Sequence, residues 1–276
     1  MFTKKNRIVI LLLTLLLWVP MAVTAGGNPA LESLNAEIIF CLSFDDEAVL
    51  PDLSQGAAEP LKTTGQASFV DGVHGKALLL GGENGIDITY RSAGNLDLTK
   101  PGALSFWIAP DNWLQPSEEV KERPYLRFFQ LQGTGAGHFF IQRMGFANKM
   151  QPDGKLLKRN DKFMAGLHAF ADWKKQLLVL PHDTLKWKDG EWRFVVITWD
   201  RQSMNLIING KVESQIHYPR VLDEKDFADE KKTCSFRIGT GESKETTRLD
   251  EFIVYRRFLS EEEIQKLYQA GISAIK

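Results

Sequence analysis

The chain has 276 residues, 43% of them hydrophobic and 25% charged, with 34 basic side chains against 35 acidic ones. That balance supports a sizeable core and excludes disorder over the bulk, and a net charge of −1 leaves no basic surplus for nucleic acid. Two cysteines exclude a disulfide-rich miniprotein and a zinc cage built from cysteine alone.

The chain opens on an address pattern. Lys4, Lys5 and Arg7 precede an apolar run over 8–19, followed by Pro20 and by Val23-Thr24-Ala25. A basic head, a short apolar stretch and small residues before a cut after Ala25 predict a secretory signal peptide over 1–25. The run falls short of the about 20 apolar residues a spanning helix needs. A retained signal anchor is the alternative. The expected address is secreted or periplasmic. Residues 26–35 read as a short tether, 36–271 as one domain and 272–276 as a tail.

From residue 36 onward the hydrophobic pattern mostly has period two, in short runs broken by turn residues. Strands are predicted over 37–44, 77–80, 86–90, 103–109, 126–132, 138–144 and 167–171. Further strands are predicted over 176–179, 192–199, 204–208, 211–216, 234–238 and 249–255. Asn209-Gly210 between two such runs is a hairpin signal, because a type I′ turn needs positive φ twice. Many short strands and almost no helix predict an all-β antiparallel sandwich and argue against a βαβ fold. The polar stretches 115–124 and 218–232 read as surface insertions. Gly133-Thr134-Gly135-Ala136-Gly137 joins two strands with no following helix, so it reads as a turn and not as a phosphate cradle.

One helix is predicted. Ser260-Glu261-Glu262-Glu263 has the form of a capping box, and Ile264, Leu267 and Tyr268 share one face. Gly271 reads as its stop. A single amphipathic helix at the end of an all-β chain is expected to pack on the outside of the sandwich.

Several motifs in fixed order carry a family resemblance. They are Phe44-Asp45-Asp46, Phe69-Val70-Asp71-Gly72-Val73-His74-Gly75-Lys76-Ala77-Leu78 and Leu104-Ser105-Phe106-Trp107-Ile108-Ala109-Pro110. Trp192-Arg193-Phe194-Val195-Val196-Ile197-Thr198-Trp199-Asp200, Asn209-Gly210-Lys211 and Ile238-Gly239 follow. Leu249-Asp250-Glu251-Phe252 and Leu259-Ser260-Glu261-Glu262-Glu263-Ile264 close the series. The chain resembles the laminin-G-like, concanavalin-A-like jelly-roll family over about 36–271. The resemblance implies two stacked antiparallel sheets, one of them concave.

It also frames three candidate sites. Cys41 and Cys234 fall in an early and a late strand, and chain ends meet in a jelly roll; they are either bridged or two buried thiols. Asp45, Asp46 and Asp250 lie in motifs near which relatives of this fold hold a structural calcium, a cation that takes six to eight oxygen ligands. The other reading has Asp250 bonded to a turn and Asp46 solvated. Trp107, Gln130, Gln142 and His168 are expected on one sheet face, the aromatic and amide mixture that holds sugars. The alternative is a sheet face covered by loops, with Trp107 as ordinary packing. Trp113, Trp173 and Trp187 stand beside polar or turn residues and read as partly exposed.

Glycosidases of this fold need two carboxylates facing one bond. The Glu-x-Asp-x-x-Glu pattern is absent, and strand alternation puts Asp250 and Glu251 on opposite faces. No Gly-x-Ser-x-Gly elbow occurs. The sequence therefore predicts a secreted non-catalytic module that binds a glycan or an extracellular protein. A protein-interaction domain without sugar affinity, and a polysaccharide hydrolase or lyase, are the competing readings.

Overall fold

The alternating runs fold as strands in the computed structural model, which describes residues 33–114, 122–123, 125–132, 139–159, 161–167, 177–181, 187–221 and 235–275. The predicted signal peptide, His138, His168, Trp173 and Cys234 lie outside the described residues. From the start of the domain the strands are β1 (Ile38–Leu42), β2 (Leu53–Ser54), β3 (Lys62–Thr64), β4 (Phe69–Asp71), β5 (Lys76–Gly82) and β6 (Asp87–Arg91). Next come β7 (Gly102–Pro110), β8 (Leu126–Gln132), β9 (Phe139–Met144), β10 (Ala147–Met150), β11 (Leu156–Arg159) and β12 (Lys162–Leu167). The chain finishes with β13 (Leu177–Pro181), β14 (Arg193–Trp199), β15 (Ser203–Ile208), β16 (Lys211–His217), β17 (Ser235–Gly239), β18 (Ser243–Tyr255) and one helix, α1 (Glu261–Ile275).

The strands form the expected two-sheet antiparallel sandwich. The first sheet runs β16-β15-β14-β7-β18-β1-β2, with β5 also paired to β18 and β4 to β5. The second runs β13-β12-β9-β8-β17-β6-β3. Between them lies one apolar core. β7 gives it Leu104, Phe106 and Ile108, and β14 gives Val195 and Ile197. Phe129, Ile141, Phe163, Phe236 and Ile88 face them from the second sheet. Burying each such side chain is worth about 1.5–3 kcal/mol, so period two fixes which face of every strand points inward. Asn209 and Gly210 take φ of 52° and 78° between β15 and β16, the two positive values a type I′ turn demands.

Short polar strands escaped the sequence pattern. β2, β3 and β4 have two or three residues each, too short to show alternation, and β10 is largely exposed, so no buried face imposed alternation on it. Of the strand expected at 167–171, only Leu167 is among the described residues, and it ends β12 (Lys162–Leu167), where Phe163, Ala165 and Leu167 supply the inward phase. Trp113 and Trp187, expected to be partly exposed, are core residues: both are buried, and their rings stack at 5.8 Å.

Helix α1 covers the outer face of the first sheet. Its start is the predicted capping box: Glu263 N–H donates to Ser260 Oγ (3.3 Å) and Ser260 N–H donates to Glu263 Oε2 (2.8 Å). Ile264 and Leu267 pack on Trp107, Phe194, Val196 and Ile253 in a second apolar cluster. The helix does not stop at Gly271. It runs on to Ile275, and Gly271 is buried against Trp107. A β-carbon there would stand 2.1 Å from Trp107 Cζ2, so close approach to the indole, not helix termination, requires the glycine. Among the described residues no helix is long and apolar enough to cross a membrane.

One end of the sandwich holds a buried ionic quartet. Arg123 and Arg143 both reach Asp161 and Glu245, and all four side chains are at most 3% exposed. Arg143 Nε donates to Asp161 Oδ2 (2.9 Å), while Arg123 Nη1 donates to Glu245 Oε1 (3.1 Å). The Arg143 guanidinium lies over the Trp113 ring at 3.9 Å. Glu245 also accepts from Leu114 N–H (2.6 Å). Because Glu245 belongs to β18 and Arg143 to β9, the quartet ties one sheet to the other.

Candidate ligand-binding face

With α1 on the first sheet, the outer face of the second sheet is the one that the helix leaves uncovered. Strand pairing lines up one row of outward residues across it. Phe140 of β9 pairs with Gln130 of β8, Gln130 with Arg237 of β17, Arg237 with Thr89 of β6 and Thr89 with Lys62 of β3. Exposure rises along the row, from buried Phe140 through half-buried Gln130, Arg237 and Thr89 to exposed Lys62.

Arg127 sits at the centre of this face. A bulge in the β8–β9 ladder between Arg127 and Phe129 turns Phe128 into the core and leaves Arg127 and Gln130 outside. Its guanidinium carbon lies 5.2 Å from the ring centres of both Phe140 and Tyr125. Its Nε donates to Gln142 Oε1 and its Nη1 to Gln130 Oε1, each at 3.0 Å. Burial and the nearby Arg237 pull its proton affinity below the usual arginine value, with the Tyr125 hydroxyl opposing them. Arg237 Nη1 donates to Asp87 Oδ2 at 3.0 Å. Tyr125 is 52% exposed and offers its ring to solvent beside the guanidinium.

The structure thus brings together two of the four residues expected on one face. Gln130 and Gln142 share the Arg127 centre, while His168 lies outside the described residues. Trp107 is corrected: it is 2% exposed, in the other sheet, stacked against Tyr268 of α1. Alternation told inward from outward but not which sheet a strand would join. Arg127, Tyr125 and Arg237 went unnoticed because lone charged or aromatic residues in an alternating run read as solvent-facing. Strict alternation counted from Gln130 puts Arg127 and Tyr125 in the inward phase, and the bulge in β8 is what brings Arg127 out.

The acidic candidates have other work. Asp250 Oδ2 accepts from the amides of Val73 (2.6 Å) and His74 (3.2 Å), and Oδ1 accepts from Glu251 N–H (2.8 Å). This is the turn-bonding reading of Asp250, and Gly72 is needed because a β-carbon there would meet Asp250 Oδ2 at 2.4 Å. Asp45 Oδ1 accepts from Lys76 N–H (3.0 Å), and Asp46 is exposed. Among the described residues no three His, Cys, Asp or Glu side chains are grouped to hold a metal ion. Cys41 is buried in the outer cluster beneath α1. Ser235, the chain neighbour of Cys234, belongs to the opposite sheet.

Glu251 departs from the sequence expectation. Its φ is 50°, at a bulge in the β18–β7 ladder between Asp250 and Ile253. The bulge breaks alternation, so Glu251 joins Asp250 on the outer side of the sheet. It lines a cavity of about 10 Å³ with Ser105, Trp107, Phe194, Tyr255 and Leu267, room for about one water. Neither carboxyl oxygen has a hydrogen-bond partner among the described residues. Burial, then the neighbouring Asp250, push the Glu251 carboxyl up, and burial pushes Asp250 up to about 8 against its three amide bonds. A folded value above the unfolded one means stability is full below about pH 4 and is lost as pH rises through the folded value. For Asp250 the protein should therefore lose stability between about pH 4 and 8, and Glu251→Gln should reduce the loss as pH rises. Urea midpoints at pH 5.5, 7 and 8.5 measure it; parallel curves for the two proteins would refute it.

A family model described as the concanavalin A-like lectin/glucanases superfamily matches residues 80–265. No curated protein matches the sequence. Among solved structures, the binding domain of botulinum neurotoxin DC in complex with rat synaptotagmin II aligns with a TM-score of 0.59 at 14% identity, over 86% of this chain and 52% of that one. A structure of botulinum neurotoxin type C, whose cell entry depends on interaction with two ganglioside molecules, aligns at 0.59 and 14%, over 87% and 52%. The binding domain of Paraclostridial Mosquitocidal Protein 1 aligns at 0.56 and 18%, over 85% and 52%. The chain spans about half the length of these structures, and what it shares with them is the fold. The ordered motifs, the two-sheet sandwich and the family match agree: the chain belongs to the concanavalin A-like lectin/glucanases superfamily.

Proposed function

We propose that this chain is an exported, non-catalytic binding module that holds a carbohydrate on the outer face of its second sheet. The observation that carries the reading is the cross-strand row of amide, aromatic and guanidinium groups on the sheet face that α1 leaves open. Sugars present hydroxyls around an apolar ring face. Rings such as Tyr125 suit the face, and amides and guanidinium donors suit the hydroxyls. Phe140 and Gln142 are buried and act as a floor that fixes Arg127, so Tyr125, Arg127, Gln130 and Arg237 are the contacting groups.

Two further observations support the reading. The basic, apolar and small-residue order over 1–25 supports export. Structures similar to this chain include binding domains, and two of those named above concern a protein ligand and gangliosides. Glycan-array binding tests the proposal. Retention of the protein on a defined set of glycans, lost on Gln130→Ala with the fold intact, is expected. Silence on every glycan, with capture of a protein partner through the same face, would replace it with the protein-interaction reading.

A further inference from the structure

We propose that the ligand of the open face is anionic, a sugar bearing a carboxylate or a sulfate that Arg127 grips with its free edge. The inference rests on the carbohydrate reading above and names the class of sugar.

Arg127 is held in one pose before any ligand arrives. The rings of Tyr125 and Phe140 each lie 5.2 Å from its guanidinium carbon, and Gln142 and Gln130 take two of its five N–H donors. The other three, both hydrogens of Nη2 among them, have no partner among the described residues. A guanidinium fork presents parallel donors that match the two oxygens of a carboxylate or sulfate. With the side chain already ordered, a ligand does not have to supply the entropy of fixing it.

The charge count on this face leaves a vacancy for an anion. Arg127 and Arg237 are two cations, and the one carboxylate paired with either is Asp87, which serves Arg237. No carboxylate among the described residues meets Arg127. A half-buried cation without a counter-ion is costly, and a second cation beside it adds to that cost. In addition, Arg237 Nε is buried with no hydrogen-bond partner among the described residues.

The hydrogen-bonding sense points the same way. An arginine only donates, so Gln130 and Gln142 must turn their oxygens toward it. Their –NH2 groups are what remains for other partners. Arg127, Arg237 and Gln130 thus offer donors almost exclusively. A neutral sugar hydroxyl brings a hydrogen as well as lone pairs, whereas a carboxylate or sulfate brings lone pairs alone.

Affinity electrophoresis of the protein against polygalacturonate, dextran sulfate and neutral dextran tests this. One or both charged polymers should retard the protein at least about tenfold more strongly than dextran, and 0.5 M NaCl should weaken the retardation. Whichever charged polymer retards it identifies carboxylate or sulfate as the group. Arg127→Gln should reduce the retardation about tenfold or more. Arg127→Lys, which keeps the charge but loses the fork, should fall between. Lys266→Ala, on the helix over the other sheet, should behave as wild type. Circular dichroism melts confirm that each variant folds. Equal retardation by dextran, or charged-polymer binding indifferent to both Arg127 substitutions, would overturn the anionic inference while leaving the carbohydrate reading standing. No retardation by any polymer together with silence on the glycan array would overturn the carbohydrate reading itself.

Discussion

Replacing Asp161 by alanine is expected to cost about 3–5 kcal/mol, the range for stripping one partner from a buried ion pair. Asp161 is the acceptor that Arg123 and Arg143 share, and all three side chains are at most 3% exposed. Without it two buried guanidinium groups share Glu245 as their carboxylate among the described residues. Solvent cannot reach them to restore what is lost, and the desolvation of both cations stays unpaid. Burial already draws the Arg143 proton affinity down to about 10, with the Asp161 hydrogen bonds working against that fall. Urea denaturation of wild type and Asp161→Ala gives the difference. The exposed Lys266–Glu262 pair is the internal reference, and Lys266→Ala should leave the urea midpoint close to that of wild type. Equal effects at the two sites would show that the quartet does not hold the two sheets together.

Gly271→Ala should destabilise the protein, against what helix propensity alone would give. Alanine in a helix interior gains about 1 kcal/mol over glycine. Here the new methyl would stand 2.1 Å from Trp107 Cζ2 and 2.6 Å from Cε2, inside van der Waals contact, and an indole packed against Phe194 and Tyr268 has little room to give. Either α1 lifts away from β7 or Trp107 leaves its rotamer, at a cost of about 1–3 kcal/mol in either case. Trp107→Ala alone should cost about 3–5 kcal/mol through the void it leaves. In the double variant Gly271→Ala with Trp107→Ala the clash is gone, so the two losses should fall short of additive. Thermal melts of the four proteins check this. Strict additivity would mean that the helix does not approach the sheet so closely.

Neither feature is visible in the residue pattern. The close packing of Gly271 on Trp107 was invisible, since a glycine after an amphipathic run looks the same whether it ends a helix or lets one approach a ring. The quartet was invisible because charged residues read as solvated unless their partners are known, and Arg123, Arg143, Asp161 and Glu245 meet only after two sheets stack. By contrast, Leu104, Phe106 and Ile108 declared their inward phase, and Asn209-Gly210 declared its turn, because each is dictated by neighbours within a few positions. Ser260 and Glu263 declared the helix start for the same reason.

The open face was legible in part. Gln130 and Gln142 were placed by alternation, since an amide in the polar phase of a strand must face outward. Arg127 was not, because the bulge at Arg127–Phe129 shifts the phase by one residue and sends Phe128 inward. The bulge at Asp250 and Glu251 did the same to the acidic pair. Strand alternation is a local rule, and a bulge is where tertiary packing overrides it.

The central claim is that the outer face of the second sheet, around Arg127, is where a glycan binds. Backbone amide chemical shifts of isotope-labelled protein, followed while a retained polysaccharide is titrated in, test it most directly. The largest shifts should fall on Arg127, Gln130, Thr89 and Arg237. Shifts concentrated on Trp107, Phe194 and the residues of α1, with the Arg127 surroundings silent, would contradict it.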